Sequence, residues 1–146
     1  MKNPIPDYLN GILANVREDS DGEVAGYIPE VARADPDWLS LALCTTSGHI
    51  YSAGDDEVEF TIQSLSKPFA YALAIKYAGM DTVIEAVGME PSGEAFNELS
   101  LGKDGRPVNP MINAGAITVN QLINGPDSDV DDRVEISADA SGIPLH

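Results

Sequence analysis

Ser64 and Lys67 are the residues whose types and spacing best fit covalent chemistry. They form an S-x-x-K arrangement within residues 60–69, FTIQSLSKPF. Residues three apart on a helix share one face, so the lysine amine would lie beside the serine hydroxyl. In the first turn of a buried helix, the helix dipole and burial both disfavour an ammonium, and a neutral amine can take a proton from serine. The pair therefore predicts a serine nucleophile with a lysine base.

Two other interpretations of this stretch remain open. Ser64 can be the N-cap of the helix, with Lys67 a solvated charge. Ser66 is a rival nucleophile, but it lies about 100° around the helix from its neighbour Lys67 and is not expected to share that face. The histidines are His49, beside a turn glycine, and His146, the last residue. We therefore expect no Ser-His-Asp triad.

Three further polar residues are candidates for a ligand site. A tyrosine such as Tyr27 most often packs its ring and hydrogen-bonds its hydroxyl within the protein. Gln63 can simply be the last residue of a strand. Asn113 lies in an apolar stretch that we expect to be helical. A buried amide there needs hydrogen-bond partners, and a ligand can supply one.

Composition excludes several classes of partner. The chain has 146 residues, 43% of them hydrophobic, which fits one ordinary domain with a real core. Its formal charge of -16 repels phosphate, so we expect neither nucleic acid nor an anionic membrane as a partner. The N-terminus lacks a secretory pattern and no apolar run is long enough to span a bilayer, which predicts a cytoplasmic protein. The single cysteine, Cys44, is expected to be a buried thiol.

An acidic run beginning at Asp127 resembles the start of an EF-hand calcium loop. The match fails because Asp132 stands where that loop needs glycine and Ala138 where it needs a bidentate glutamate. We therefore predict no metal site and interpret residues 126–146 as an acidic, poorly ordered tail with little packing.

The elements that must position the candidate residues can be read from hydrophobic periodicity. A helix is predicted from Pro6 to Val16, followed by two strands near residues 39–44 and 49–53. Alternation over residues 58–63 predicts an extended approach to Ser64. Pro68 then fits the first turn of a central helix that Gly79 ends, and further helices are expected near residues 81–87 and 110–124. The fold class is α+β.

Four blocks, YIPEVA from Tyr27, FTIQSLSKPF, VGMEPSG from Val87 and GRPVNPMINAGAI from Gly105, resemble the serine-dependent glutaminases of the β-lactamase-like fold. The resemblance implies helices packed on a small antiparallel sheet. It also implies hydrolysis of L-glutamine to L-glutamate and ammonia without a metal or organic cofactor. We expect the chain to form a homo-oligomer. The family's nucleophile falls on Ser64 and its activating lysine on Lys67. Its substrate contacts fall on Tyr27, Gln63, Ser64 and Asn113.

The resemblance covers only an N-terminal portion of such a domain. We assign residues 1–125 to that portion. The closing strands of the sheet and further substrate-binding motifs of the family are absent, and residues 137–146 do not look like family sequence, as in a truncated copy. Two alternatives therefore stand beside glutamine hydrolysis. One is a non-catalytic remnant that self-associates or binds full-length subunits, and the other is an acyl-serine enzyme acting on a β-lactam or peptide.

Overall fold

The fold is known from a computed structural model that describes residues 3–95 and 98–142. These residues form five α-helices and one two-stranded antiparallel sheet, which confirms the α+β class. The chain divides into two compact units, Met1–Thr61 and Ile62–His146, and the sheet belongs to the first.

The first unit packs one helix on the sheet. Helix α1 spans Ile5–Val16, and strands β1 and β2 span Ser40–Cys44 and Ile50–Gly54. The strands pair from Ser40 opposite Gly54 to Cys44 opposite Ile50. The core consists of apolar side chains that α1 and one face of the sheet contribute: Leu9, Leu13, Ala53, with Ile5, Leu39, Leu41 and Tyr51 packed against them.

The prediction of a buried Cys44 is wrong. Cys44 is exposed, not buried, because Leu39 and Leu41 face α1 and the alternation of β1 places Cys44 on the opposite face. Residues 58–62 form no strand among the described residues, and Phe60 is 79% exposed. The alternation there does not mark a buried sheet face.

The second unit is a cluster of four helices. Helices α2 (Ser66–Ala78), α3 (Met80–Ala86), α4 (Asn113–Asn120) and α5 (Val130–Ser141) follow in that order. Its core is formed by small and branched apolar side chains: Ala70, Leu73, Ala74, Val83, Val87, Val119 and Ile123. Gly79 has a φ of 82°, which glycine adopts readily, and it ends α2 as predicted.

The residues that α2 buries differ in part from those that its sequence pattern suggests. Phe69 and Tyr77 lie four residues before and after Leu73, yet both are substantially exposed, while Ala70, Leu73 and Ala74 form the buried centre. The buried face of α2 is therefore the one that carries the small residues, where neighbouring helices can approach closely.

The prediction of an unpacked acidic tail is wrong over residues 130–141, which form α5. The Asp129 side chain caps this helix by accepting a hydrogen bond from the Asp132 amide at 2.9 Å, and Gly142 ends it with a φ of 70°. Ile136 packs against the core of the second unit. A capped helix with an apolar contact can form despite its charge. Residues 143–146, including His146, lie outside the described residues.

Candidate active site

Ser64 lies in a short 3₁₀ turn, Gln63–Leu65, that leads directly into α2. Gln63 has a φ of 48°, in the left-handed region that non-glycine residues rarely adopt. Such a conformation costs on the order of 1–3 kcal/mol and persists only where the surroundings hold it. Ser66 supplies one such restraint, because its hydroxyl donates a hydrogen bond to the Gln63 carbonyl oxygen at 2.8 Å. The turn therefore fixes the backbone at Ser64.

Lys67 is the second residue of α2 and is half-buried. Pro68, the third residue, has no N–H to offer and fits the first turn, as predicted. The Lys67 Nζ donates a hydrogen bond to the Asn113 Oδ1 at 2.8 Å, across a sequence separation of 46 residues. This contact brings two of the predicted site residues together.

Asn113 is the first residue of α4 and is exposed, so the prediction of a buried amide inside the helix is wrong. The loop before it is held by Asn109, whose Oδ1 accepts from the amides of Met111 at 2.9 Å and Ile112 at 3.2 Å. The Nδ2 of Asn109 donates to the Glu90 carbonyl oxygen at 2.8 Å. These bonds fix where α4 begins and hence where the Asn113 side chain lies.

Gly115 permits the close approach of this loop to α4. A Cβ at position 115 would overlap the carbonyl oxygen of Asn109 and lie 2.9 Å from the Cα of Pro110. Glycine at this position therefore lets a neighbouring segment come close. That neighbour is the loop that precedes the same helix.

Arg106 hydrogen-bonds the loop between α3 and α4 to helix α3. Its Nη1 donates to the carbonyl oxygens of Ile84 at 2.7 Å and Glu85 at 3.3 Å, close to the end of that helix. Its Nε lies 2.5 Å from the Oδ2 of Asp104. This side-chain hydrogen bond from Arg106 lowers the pKa of Asp104 from its ordinary value.

The two serines differ in their surroundings. The Ser66 hydroxyl is engaged with the Gln63 carbonyl oxygen. Within the described residues, Ser64 forms no side-chain hydrogen bond, and none joins its hydroxyl to Lys67. Ser64, Gln63, Lys67 and Asn113 all belong to the second unit, whereas Tyr27 lies in a turn of the first unit and is 75% exposed.

Two open grooves in the second unit are lined by residues other than Ser64, Lys67 and Asn113. One, of about 350 Å³, lies beside Gly88 and Arg106. The other, of about 440 Å³, lies beside Tyr71 and Met111. Ser64 and Asn113 are exposed and Lys67 is half-buried, so the candidate catalytic residues lie at the surface of the second unit.

Neither a metal-binding group nor a membrane span is found in the part of the chain that the structure describes. No cluster of histidine, cysteine, aspartate and glutamate there is arranged to hold a metal ion. The acidic run that resembles a calcium loop instead supplies the cap of α5 through Asp129. Among the same residues, no helix has both the length and the apolar character needed to cross a bilayer.

Sequence reasoning selected Ser64, Lys67, Gln63 and Asn113 as candidates but did not predict the bond between Lys67 and Asn113. The long loop between α3 and α4 determines that contact, and no periodic signal fixes the path of such a loop. The Asn109-Pro110 pair was a usable signal, because asparagine before proline favours a turn that starts a helix.

Comparison with known proteins identifies related sequences and structures. The glutaminase family model matches residues 22–142, so residues 137–142 belong to the family match, contrary to our expectation. The glutaminase of Corynebacterium glutamicum is 66% identical over 132 residues, which cover 90% of this chain and 32% of that protein. Mglu in its native form superposes with a TM-score of 0.89 and 47% identity, covering 100% of this chain and 36% of Mglu.

Mglu in its glutamate form gives a TM-score of 0.86 at 49% identity, covering 96% of this chain and 32% of that chain. The chain thus spans about a third of the length of the relatives that it matches. The match over most of the chain, together with a common arrangement of helices and sheet, leads to one conclusion. This chain belongs to the glutaminase family.

Proposed function

We propose that the site hydrolyses L-glutamine to L-glutamate and ammonia, with Ser64 as nucleophile and Lys67 as base. The observation that carries the proposal is the 2.8 Å bond from the Lys67 Nζ to the Asn113 Oδ1. It links the S-x-x-K helix to the start of α4, two places in which family motifs were identified. Mglu in its glutamate form is a relative with the product of this reaction.

The proposed reaction proceeds in two steps. The Ser64 Oγ attacks the γ-amide carbon, Lys67 accepts the hydroxyl proton, and a tetrahedral intermediate forms. The C–N bond then breaks, ammonia leaves with that proton, and a γ-glutamyl ester remains on Ser64. Water attacks the ester, and the Ser64 oxygen leaves with a proton as L-glutamate is released.

The turn before α2 supports the first step. The Gln63 conformation and its bond from Ser66 hold the backbone at Ser64, so the nucleophile does not have to be ordered during the reaction. The Ser64 N–H is proposed as one oxyanion donor. Gln63, Asn113 and Tyr27 are proposed substrate contacts. The position of Asn113 beside Lys67 supports its assignment, whereas Tyr27 rests on the family resemblance.

Ammonia release from L-glutamine by the 146-residue chain tests this function. We expect a slow rate, because the chain spans about a third of the length of its relatives. Ser64→Ala should lower the rate at least about 100-fold. Ser66→Ala, which removes the rival hydroxyl, should retain a measurable rate that is reduced by the loss of the bond to Gln63. A rate that Ser64→Ala leaves unchanged contradicts the proposal.

A second candidate function is self-association of a non-catalytic chain, which would also account for the expected homo-oligomer. The observation that favours it is the sheet, in which β1 and β2 pair only with each other within the described residues. Their outer edges can pair with strands of another copy. Sizing chromatography tests it, and a compact monomer argues against it. The family match gives no support to a β-lactam or peptide substrate.

We also propose a cytoplasmic location. The supporting observation is the low cysteine content, because one cysteine, Cys44, cannot build the disulfide framework on which many small secreted domains depend. Cell fractionation followed by detection of the chain tests this location, and recovery in a secreted fraction contradicts it.

A further inference from the structure

The chain contains two Asn-Gly dipeptides, Asn10-Gly11 and Asn124-Gly125. An asparagine that precedes glycine readily loses its side-chain amide, because glycine has no Cβ to hinder attack by its own backbone nitrogen. Asn10 and Asn124 are both exposed. Exposure therefore does not distinguish the two dipeptides, and the difference between them lies in the backbone.

Asn10 and Gly11 lie in the interior of α1. In a helix each backbone N–H is paired with the carbonyl oxygen four residues earlier, so the Gly11 nitrogen cannot attack the neighbouring side chain unless the helix opens. The Asn10 Nδ2 also donates to the Pro6 carbonyl oxygen at 2.9 Å, which holds the side chain along the helix. The helix therefore protects this dipeptide.

Asn124 and Gly125 lie in the turn that connects α4 to α5. Their φ angles are 58° and 84°, in the left-handed region that asparagine and glycine adopt most readily. Among the described residues, the Gly125 amide donates no hydrogen bond, and the Asn124 Nδ2 donates one long bond, to the Ser128 Oγ at 3.3 Å. The attacking nitrogen and the side-chain amide are thus free of the restraints found in α1.

We propose that Asn124 is a site of spontaneous deamidation, a reaction to which asparagine owes much of its thermal lability. The Gly125 backbone nitrogen loses its proton and attacks the Asn124 Cγ, the bond from Cγ to Nδ2 breaks, and ammonia leaves with that proton. A cyclic succinimide remains, and water opens one of its two carbonyl groups. One opening gives aspartate, and the other gives isoaspartate, in which the main chain runs through the former side chain.

The products change the connection between two helices of the second unit. Ile123, directly before the site, is fully buried in the core. Directly after the site, the Gly125 carbonyl oxygen accepts bonds from the Ser128 amide at 3.5 Å and the Arg133 Nη2 at 3.4 Å. Isoaspartate inserts a methylene into the main chain between these two anchored points. Both products add a negative charge to a chain whose formal charge is already -16.

Peptide mapping by mass spectrometry of the aged chain tests the site, with Asn10 as the matched control in the same molecule. The folded 146-residue chain is incubated for days at mildly alkaline pH below its Tm, and a second sample is incubated in guanidinium chloride. In the folded chain we expect Asn124 to deamidate at least about tenfold faster than Asn10, because α1 must open before Asn10 can react. In guanidinium chloride the two rates should agree within about threefold.

Equal rates at Asn10 and Asn124 in the folded chain overturn the proposal. So does an Asn124 that stays intact in the folded chain while both asparagines react in guanidinium chloride. Ser64→Ala should deamidate at the wild-type rate, because the reaction uses no residue of the candidate active site, and a slower rate contradicts the mechanism.

Asn124→Asp separates the two effects of the modification, since it adds the charge without lengthening the main chain. The isoaspartate form, purified from the aged chain, should have a Tm a few degrees below that of Asn124→Asp. Equal Tm values would contradict the effect on the connection between α4 and α5.

Discussion

Gln63 and Ser66 give the turn before α2 a backbone conformation that could not be predicted from the sequence. Gln63 is one of two non-glycine residues with positive φ among those described, and it immediately precedes the proposed nucleophile. The hydroxyl of Ser66, which sequence reasoning treated only as a rival nucleophile, instead holds the Gln63 carbonyl oxygen. Backbone strain of this kind is concentrated at functional sites, and here it adjoins Ser64.

Asn113→Ala tests the contact between Lys67 and Asn113. Asn113 is exposed and Lys67 is half-buried, so losing one hydrogen bond should reduce the free energy of unfolding by no more than about 0.5–1.5 kcal/mol. The rate of ammonia release should fall about tenfold or more, because Lys67 loses its anchor. The measurements are thermal unfolding and the ammonia assay.

Asn120→Ala serves as the matched control for that change, since it removes the same amide group from the last residue of the same helix. It should leave the rate within about twofold of wild type. If both variants lower the rate equally, the effect belongs to the helix and not to the contact with Lys67.

For single residues, the sequence alone indicated which residue types could react and that Ser64 could pair with Lys67. The S-x-x-K spacing singled out Ser64 and Lys67, and an asparagine in apolar surroundings singled out Asn113. Their contact across 46 residues could not be predicted, because it depends on how Asn109 and Gly115 position the start of α4. The exposure of Cys44 was missed because alternation does not reveal which face of a sheet is covered.

The elements themselves follow from periodicity and from their end signals, with one informative failure. Helix α1, the strand pair and the glycine end of α2 all match their patterns. Helix α5 was missed because its acidic composition was interpreted as disorder, although Asp129 at its start, Ile136 on its packed face and Gly142 at its end are ordinary helix signals.

Asp129→Ala tests the cap of α5. Loss of the bond to the Asp132 amide should reduce the free energy of unfolding by about 0.5–2 kcal/mol. Asp127→Ala removes the same charge outside the helix and is the matched control. Thermal unfolding of both variants measures the difference. Equal destabilisation would mean that charge, not capping, accounts for the effect.

Gly115→Ala tests the close approach of the loop to α4. The new Cβ would overlap the Asn109 carbonyl oxygen, a backbone atom that cannot move without shifting the loop, so we expect a loss of about 1–3 kcal/mol in the free energy of unfolding. Gly11→Ala, within α1, has nothing within 4 Å of the added Cβ and should raise stability by about 0.5–1 kcal/mol. Denaturant unfolding monitored by circular dichroism compares them, and stabilisation by Gly115→Ala would contradict the packing described.

For the whole molecule, the dominant physical feature is charge. The chain carries 24 acidic against 8 basic residues, and two ion pairs, Arg17 with Asp55 and Arg106 with Asp104, are found in the described part. Because acidic side chains outnumber basic ones threefold, the net interaction among the charges is repulsive. Such self-repulsion destabilises a compact state and is screened by salt.

Raising sodium chloride from about 0.02 M to about 0.5 M should therefore raise the Tm of the chain by a few degrees, since screening shortens the range of the repulsion. Differential scanning calorimetry at fixed pH measures the change. The same titration with sucrose separates screening from a general effect of cosolute exclusion. A Tm that falls as salt rises would contradict the account of the charge.

Fold class and family were predictable for the whole molecule, whereas its division into two units was not. Composition and periodicity indicated α+β, and the four sequence blocks indicated the family that the comparisons confirm. A single domain was expected, but Met1–Thr61 and Ile62–His146 each form a compact unit. Local patterns specify helices and strands without specifying which of them share a core.

The central claim is that Ser64 forms a covalent γ-glutamyl ester. Incubating the chain with an electrophilic diazoketone analogue of glutamine, followed by intact mass measurement and peptide mapping, tests this claim most directly. We predict one adduct per chain, located on Ser64, in wild type and Ser66→Ala, and none in Ser64→Ala. Absence of labelling in the wild-type chain, or an adduct that persists in Ser64→Ala, would contradict it.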